Sequence, residues 1–148
     1  MAAAQGGMWH PNRTAQMDKI VDLEKDETWR MARALYRMAG INPGDVDVAE
    51  IYDHFTIYVL TSLESLGFCK KGEGGPFTEG GRLEWPDGEL PLNPSGGNLS
   101  EAYIHGMNHV VDGVRQLRGT APVQVKDAGI VLCASGNAVP TSGIILRK

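Results

Sequence analysis

The segment Gly129-Ile130-Val131-Leu132-Cys133 is a short, continuous apolar run. Such a run reads as a strand buried on both faces, near the centre of a sheet. It needs helices or further sheet above and below it, so it points to a layered architecture. A turn of small residues, Ala134 to Pro140, follows it. Thr141 to Leu146 then reads as a final strand.

Upstream the period becomes helical. Asp26 is a good N-cap and Glu27 suits the first turn of a helix. Trp29, Ala32, Leu35, Tyr36 and Ala39 then fall on one face, and Gly40 ends the element. Asn42-Pro43-Gly44 makes a turn, and Val46 to Tyr52 follow as a short strand. A second helix is expected over 54–66, with a stripe of Phe55, Val59, Leu60, Leu63 and Leu66. A third is expected over about 99–118, with Leu99, Tyr103, Gly106, Met107, Val110, Val114 and Leu117 along one face. Between them, 67–97 holds nine of the 19 glycines and four of the eight prolines. A loop that long is functional or mobile. Residues 1–25 carry scattered apolar side chains and read as a strap packing on something else. The order helix, strand, helix, long loop, helix, strand, strand predicts an α/β fold with a mixed sheet, the domain proper spanning 26–148.

The chain has 148 residues, enough for one core, and a net charge of −4. That balance argues against nucleic acid, which needs clustered positive charge. Lys70-Lys71 and the trio Arg30, Arg33 and Arg37 read as solvated surface. Cys69 and Cys133 are too few for a disulfide framework, and no Cys-x-x-Cys pair points to zinc. No stretch approaches the roughly 20 apolar residues of a membrane helix. The expectation is a cytoplasmic protein with no metal.

Three segments carry candidate chemistry. Glu50-Ile51-Tyr52-Asp53-His54-Phe55 is a strand that ends at a helix, where α/β proteins bind ligands. Asn93-Pro94-Ser95-Gly96-Gly97 precedes Tyr103 and His105, and its paired glycines allow close backbone approach. Cys133-Ala134-Ser135-Gly136 puts a cysteine at the end of an apolar strand. Each has an ordinary alternative: Tyr52 capping a core, Tyr103 packing on a helix face, Cys133 as a small buried hydrophobe.

In order, these segments resemble three signature loops of the thiolase superfamily, in its C-terminal half. Tyr52-Asp53-His54-Phe55 stands where thiolases carry Asn-Glu-Ala-Phe. Gly96-Gly97 and Ala102-Tyr103-Ile104 stand where they carry Gly-Gly and then Gly-His-Pro. Cys133-Ala134-Ser135-Gly136 stands where they carry Cys-x-Gly. The long glycine-rich segment resembles the lipid-transfer and sterol-carrier branch. Two tyrosines in place of asparagine and histidine resemble the steroid side-chain-cleaving aldolases.

The resemblance implies retro-aldol cleavage of a β-hydroxyacyl-CoA to a ketone and a shorter acyl-CoA. Coenzyme A enters only as part of the substrate. Tyr52 and Tyr103 would handle protons, with Cys133 as a further acid and Asp53, His54 and His105 as orienting groups. Gly96, Gly97, Ser135 and Gly136 would bind substrate, and 67–92 would lie by the acyl end. Expected partners are the N-terminal thiolase half or a second thiolase subunit, and an OB-fold protein associated with acyl-CoA. An acyltransferase of the thiolase branch using Cys133, and a non-catalytic lipid-CoA-binding subunit, are the alternatives.

Overall fold

The structure, a computed structural model, describes residues 2–6, 27–136 and 141–148, with only the backbone for residues 3–6. Its elements are β1 (Ala2–Gly6), α1 (Glu27–Ala39), β2 (Val48–Ile51), α2 (Thr56–Ser65), one-turn helices α3 (Gly74–Phe77) and α4 (Gly97–Ser100), α5 (Met107–Arg118), β3 (Ile130–Ala134) and β4 (Thr141–Arg147). The strands form one mixed sheet in the order β1-β4-β3-β2. β3 runs parallel to β2, with Val48 opposite Val131 and Ile51 opposite Ala134. β4 is antiparallel to both β3 and β1. The α/β fold with a mixed sheet is as expected.

The central place of β3 follows from its sequence. Leu132 and Ala134 face a core with Met31 and Leu35 of α1 and Leu63 of α2. Val131 and Cys133 face the other way, into a core with Val48 and Leu146 closed by Val110, Val114 and Leu117 of α5. β2 alternates in the same sense, so Val48 and Glu50 share the α5 side. Helix α1 ends at Gly40, whose φ of +68° no other residue type adopts as readily.

Four expectations need correction or limits. The third helix is two helices: α4 stops at Ser100 and α5 starts at Met107. His105 and Gly106 take φ of +48° and +86°, a left-handed conformation that breaks a right-handed helix. Tyr103 therefore lies in the break, 53 % exposed, and Leu99 and Met107 are exposed instead of packed. In α2, Phe55 precedes the helix and is exposed, whereas Leu63 and Leu66 are buried. Of the supposed strap, residues 2–6 form an edge strand. The remainder, with the Asp26 cap, lies outside the described residues.

The long loop is also better organised than its composition implies. Ala49 donates its N–H to the Pro91 carbonyl and accepts from the Asn93 N–H, so the end of the loop lines the outer edge of β2. The Trp85 indole donates to the Gln124 carbonyl. Gln124 in turn bonds the Gln116 carbonyl near the C-terminal end of α5. The middle of the loop thus sits at the opposite end of α5 from Tyr52 and Tyr103, not beside them.

Candidate active site

Two loops and a helix start meet at the C-terminal ends of β2 and β3. Tyr52 leaves β2, with its N–H bonded to the Ala134 carbonyl. Tyr103 comes from the break between α4 and α5. Their hydroxyls are 3.0 Å apart, with Tyr52 donating, and their rings meet edge to face. Beside them is a cleft of about 660 Å³ whose lining includes Tyr52, His105, His109, Cys133, Ser135 and Ile144. Residues 52, 103 and 133, far apart in sequence, are thus brought to one end of the sheet.

Glycines make the approach possible. At Gly106, φ is +86° and a Cβ would press within 3.2 Å of the Tyr52 ring. At Gly97, φ is +62° and a Cβ would collide with the Asp53 carboxylate. Asp53 instead accepts the Asn98 N–H at 2.8 Å and the Leu99 N–H at 3.5 Å, which ties the Tyr52 junction to α4. Gly96 has a φ of +108° just before α4 and lies outside the cleft lining. Gly136 packs against the Tyr52 carbonyl, and its own carbonyl accepts from Thr28 and Thr141. Ser135 lines the cleft, and its Oγ accepts the Ser142 N–H at 2.8 Å.

The histidines divide. The His54 ring lies 5.0 Å from Tyr52 and stacks on Tyr58 at 4.8 Å. The His105 ring stands edge-on to Tyr103 at 5.1 Å. Each therefore flanks a different tyrosine.

Electrostatics separates the candidates further. The hydrogen bond to Tyr103, then burial, push Tyr52 up to about 12, so it keeps its proton at neutral pH. Cys133 is buried, and its thiol donates to the His109 carbonyl at 3.6 Å. Burial pushes that thiol well above the ordinary thiol range. A thiolate nucleophile or base needs the opposite shift.

Glu50, Asn98 and His109 have no assigned part in the sequence reading. His109 Nδ1 lies 2.9 Å from Glu50 Oε2, and Nε2 lies 3.2 Å from Asn98 Nδ2 and 3.3 Å from Asp53 Oδ1. All four residues are buried. Burial, then the neighbouring Asp112 carboxyl, raise Glu50 to about 10, so it is a neutral acid. Burial lowers His109, with Asp53 pulling the other way. The available signal was spacing: His109, Asp112 and Gln116 form a polar stripe on α5 and are all buried. An amphipathic reading gives such a stripe to solvent.

The family described as thiolase C-terminal domain-like matches residues 8–146. The chain is 51 % identical, over 116 residues, to a Mycobacterium tuberculosis protein named 17-hydroxy-3-oxo-4-pregnene-20-carboxyl-CoA lyase. That match covers 78 % of this chain and 30 % of the relative. It is 50 % identical, again over 116 residues, to the steroid side-chain-cleaving aldolase of Thermomonospora curvata, covering 78 % of the chain and 29 % of the relative. A solved structure named Ltp2-ChsH2(DUF35) aldolase superposes with a TM-score of 0.86 at 43 % identity, over 99 % of this chain and 38 % of that one. The chain spans about a third of the length of these relatives.

Proposed function

The chain belongs to the thiolase C-terminal domain-like family, and from that premise we propose that it is the C-terminal part of an aldolase. The reaction is retro-aldol cleavage of a bulky, steroid-type β-hydroxyacyl-CoA. One observation carries the reading: two tyrosine hydroxyls in hydrogen-bond contact at 3.0 Å beside a cleft.

Tyr103 acts as the base. The Tyr52 hydroxyl donates to its oxygen at 3.0 Å, a contact that favours the deprotonated form in which it takes a proton. Tyr103 takes the substrate's β-hydroxyl proton, the Cα–Cβ bond breaks, and a ketone forms at Cβ. The bonding pair moves onto Cα and the thioester as an enolate. Tyr52, which holds its proton strongly, delivers it to Cα and recovers it from Tyr103 across the hydroxyl contact. The proton count closes, and no acyl-enzyme is needed. Positioned proton transfer of this kind contributes roughly 10²–10⁴-fold to rate.

Cys133 is then a wall of the cleft. Its buried, neutral thiol is directed at a backbone carbonyl, which disfavours the acyltransfer alternative. Phe55, Ile57, Leu99, Ile104 and Met107 are exposed next to the site. The part of the fold beyond this chain covers them and supplies the rest of the substrate site. A second protein, as in the two-component name of the solved neighbour, completes the acyl-CoA site.

The test uses the complete protein with any subunit it requires. The probe is 17-hydroxy-3-oxo-4-pregnene-20-carboxyl-CoA, the thioester in the name of the mycobacterial relative. Its hydroxyl carbon, C17, adjoins C20, which bears the thioester, so it is a β-hydroxyacyl-CoA. The expected products are the 17-ketone and a shortened acyl-CoA in equal amounts. Consumption of free coenzyme A with a 3-ketoacyl-CoA, and no cleavage of the hydroxy compound, would establish thiolase-type transfer instead.

A further inference from the structure

The Glu50–His109–Asp53 cluster lies behind the tyrosines and is not used by the steps above. His109 is 2 % exposed, and its two ring nitrogens reach separate segments. Nδ1 contacts Glu50, which is on β2. Nε2 contacts Asp53, just beyond β2, and Asn98 of α4. Tyr52 lies between Glu50 and Asp53 in sequence, and its ring stands edge-on to the imidazole at 6.3 Å. Tyr103 lies between Asn98 and His109 in sequence. A single imidazole, carried on the helix just after Tyr103, therefore touches the segments on either side of Tyr52 and the one before Tyr103.

Resting on the aldolase reading, we propose that His109, clamped between Glu50 and Asp53, is a positioning residue that holds the Tyr52 and Tyr103 hydroxyls within hydrogen-bond contact.

The protons can be assigned from the partners. Asp53 Oδ1 faces Nε2 at 3.3 Å and can only accept, while a protonated Glu50 can donate to Nδ1, so the Nε2–H tautomer serves both acids; the Asn98 amide, 3.2 Å from Nε2, then turns its otherwise unpartnered oxygen to that nitrogen. Nδ1 is then an acceptor, and Glu50 supplies an O–H. A Glu50 raised to about 10 by burial has that proton throughout the neutral range. His109, lowered by burial, stays neutral beside it. The charged groups acting on the imidazole, Asp53, Glu101 and Asp112, all favour its cation, and burial outweighs them. The assembly is a chain of directed bonds, acid O–H to imidazole and imidazole N–H to carboxylate. Directed bonds fix a ring's rotation as well as its place, which is how an outer partner orients a reacting group. A displacement of about 1 Å at a reacting group can cost on the order of 10²-fold.

A residue that only stabilised the fold would lower the amount of folded protein and leave turnover per folded molecule unchanged. His109→Gln in the complete protein, assayed with the probe above, separates the two roles. The expected result is kcat down roughly 10²-fold with KM little changed. A crystal structure of the variant should show the two hydroxyls beyond about 3.5 Å. Glu50→Gln replaces the acid O–H by an amide N–H and should recover most of the turnover that Glu50→Ala loses. If His109→Gln does not fold, His109→Asn decides. It keeps an acceptor toward Glu50, drops the reach to Asp53, and should show the same loss in kcat. Wild-type kcat with the hydroxyl contact broken, an unmoved contact at 3.0 Å in the folded His109 variants, or equal losses in Glu50→Gln and Glu50→Ala would each overturn the proposal. Wild-type protein that fails to cleave the probe would instead refute the aldolase reading, and the hydroxyl distance in the variants would still decide the role of His109.

Discussion

Glu50 shows what a single residue can hide. In the sequence it is one polar letter within a short strand. In the structure it is fully buried on the α5 side of β2, next to a buried histidine. Its raised pKa has a sign that can be measured. The folded protein holds a proton on Glu50 that the unfolded chain releases above its ordinary 4.5. The stability this gives is complete below pH 4.5 and is lost as pH rises toward 10. Over that window the loss is up to about 1.4 kcal/mol per pH unit. Glu50→Gln cannot release a proton, so denaturant unfolding of the variant should lack this slope, and the variant should be the more stable form at pH 8. Parallel pH dependences for the two proteins would show that Glu50 is ionised in the fold. The tyrosines were legible as candidates because they replace residues of a familiar motif. Glu50, Asn98 and His109 were not, because burial of a polar stripe depends on what the stripe faces.

At the scale of elements, sequence and structure agree where one pattern dominates. β3 was legible from its apolar run, and α1 from its stripe and its terminal glycine. The third helix misled because Leu99, Tyr103, Met107 and Val110 keep helical spacing across a break. Only Gly106 marked the break in the sequence, and an isolated glycine inside a helical pattern is ambiguous. That glycine supports a controlled prediction. Gly106 and Gly119 both have positive φ, of +86° and +70°. Alanine at either should cost about 1–2 kcal/mol for the left-handed backbone, read by chemical denaturation. A Cβ at Gly106 would press on the Tyr52 ring, whereas one at Gly119 would meet nothing within 4 Å. Turnover per folded molecule should therefore fall in Gly106→Ala and hold in Gly119→Ala. Equal effects on turnover would mean that the Gly106 contact does not set Tyr52. The long loop was legible as long, but its course along β2 depends on Trp85 and Asn93 finding backbone partners that no local pattern specifies.

At the scale of the molecule, the sheet is covered on both faces, but the tyrosine end is not closed. Five large apolar side chains, Phe55, Ile57, Leu99, Ile104 and Met107, are each more than half exposed around it. An apolar patch of that kind marks a contact surface. The 148-residue chain should therefore sediment, even when dilute, as a species larger than 16.0 kDa. A stable monomer that binds no hydrophobic dye would argue that the patch needs no cover. In the proposed aldolase reaction, proton transfer by the tyrosine pair, and not sulfur chemistry, breaks the bond. The most direct test is turnover of the hydroxyacyl-CoA by Tyr103→Phe and Cys133→Ala, each in the complete protein and normalised to folded enzyme. Tyr103→Phe should lose roughly 10²–10⁴-fold and Cys133→Ala far less. Near-complete loss in Cys133→Ala with turnover retained in Tyr103→Phe would contradict that role of the tyrosine pair.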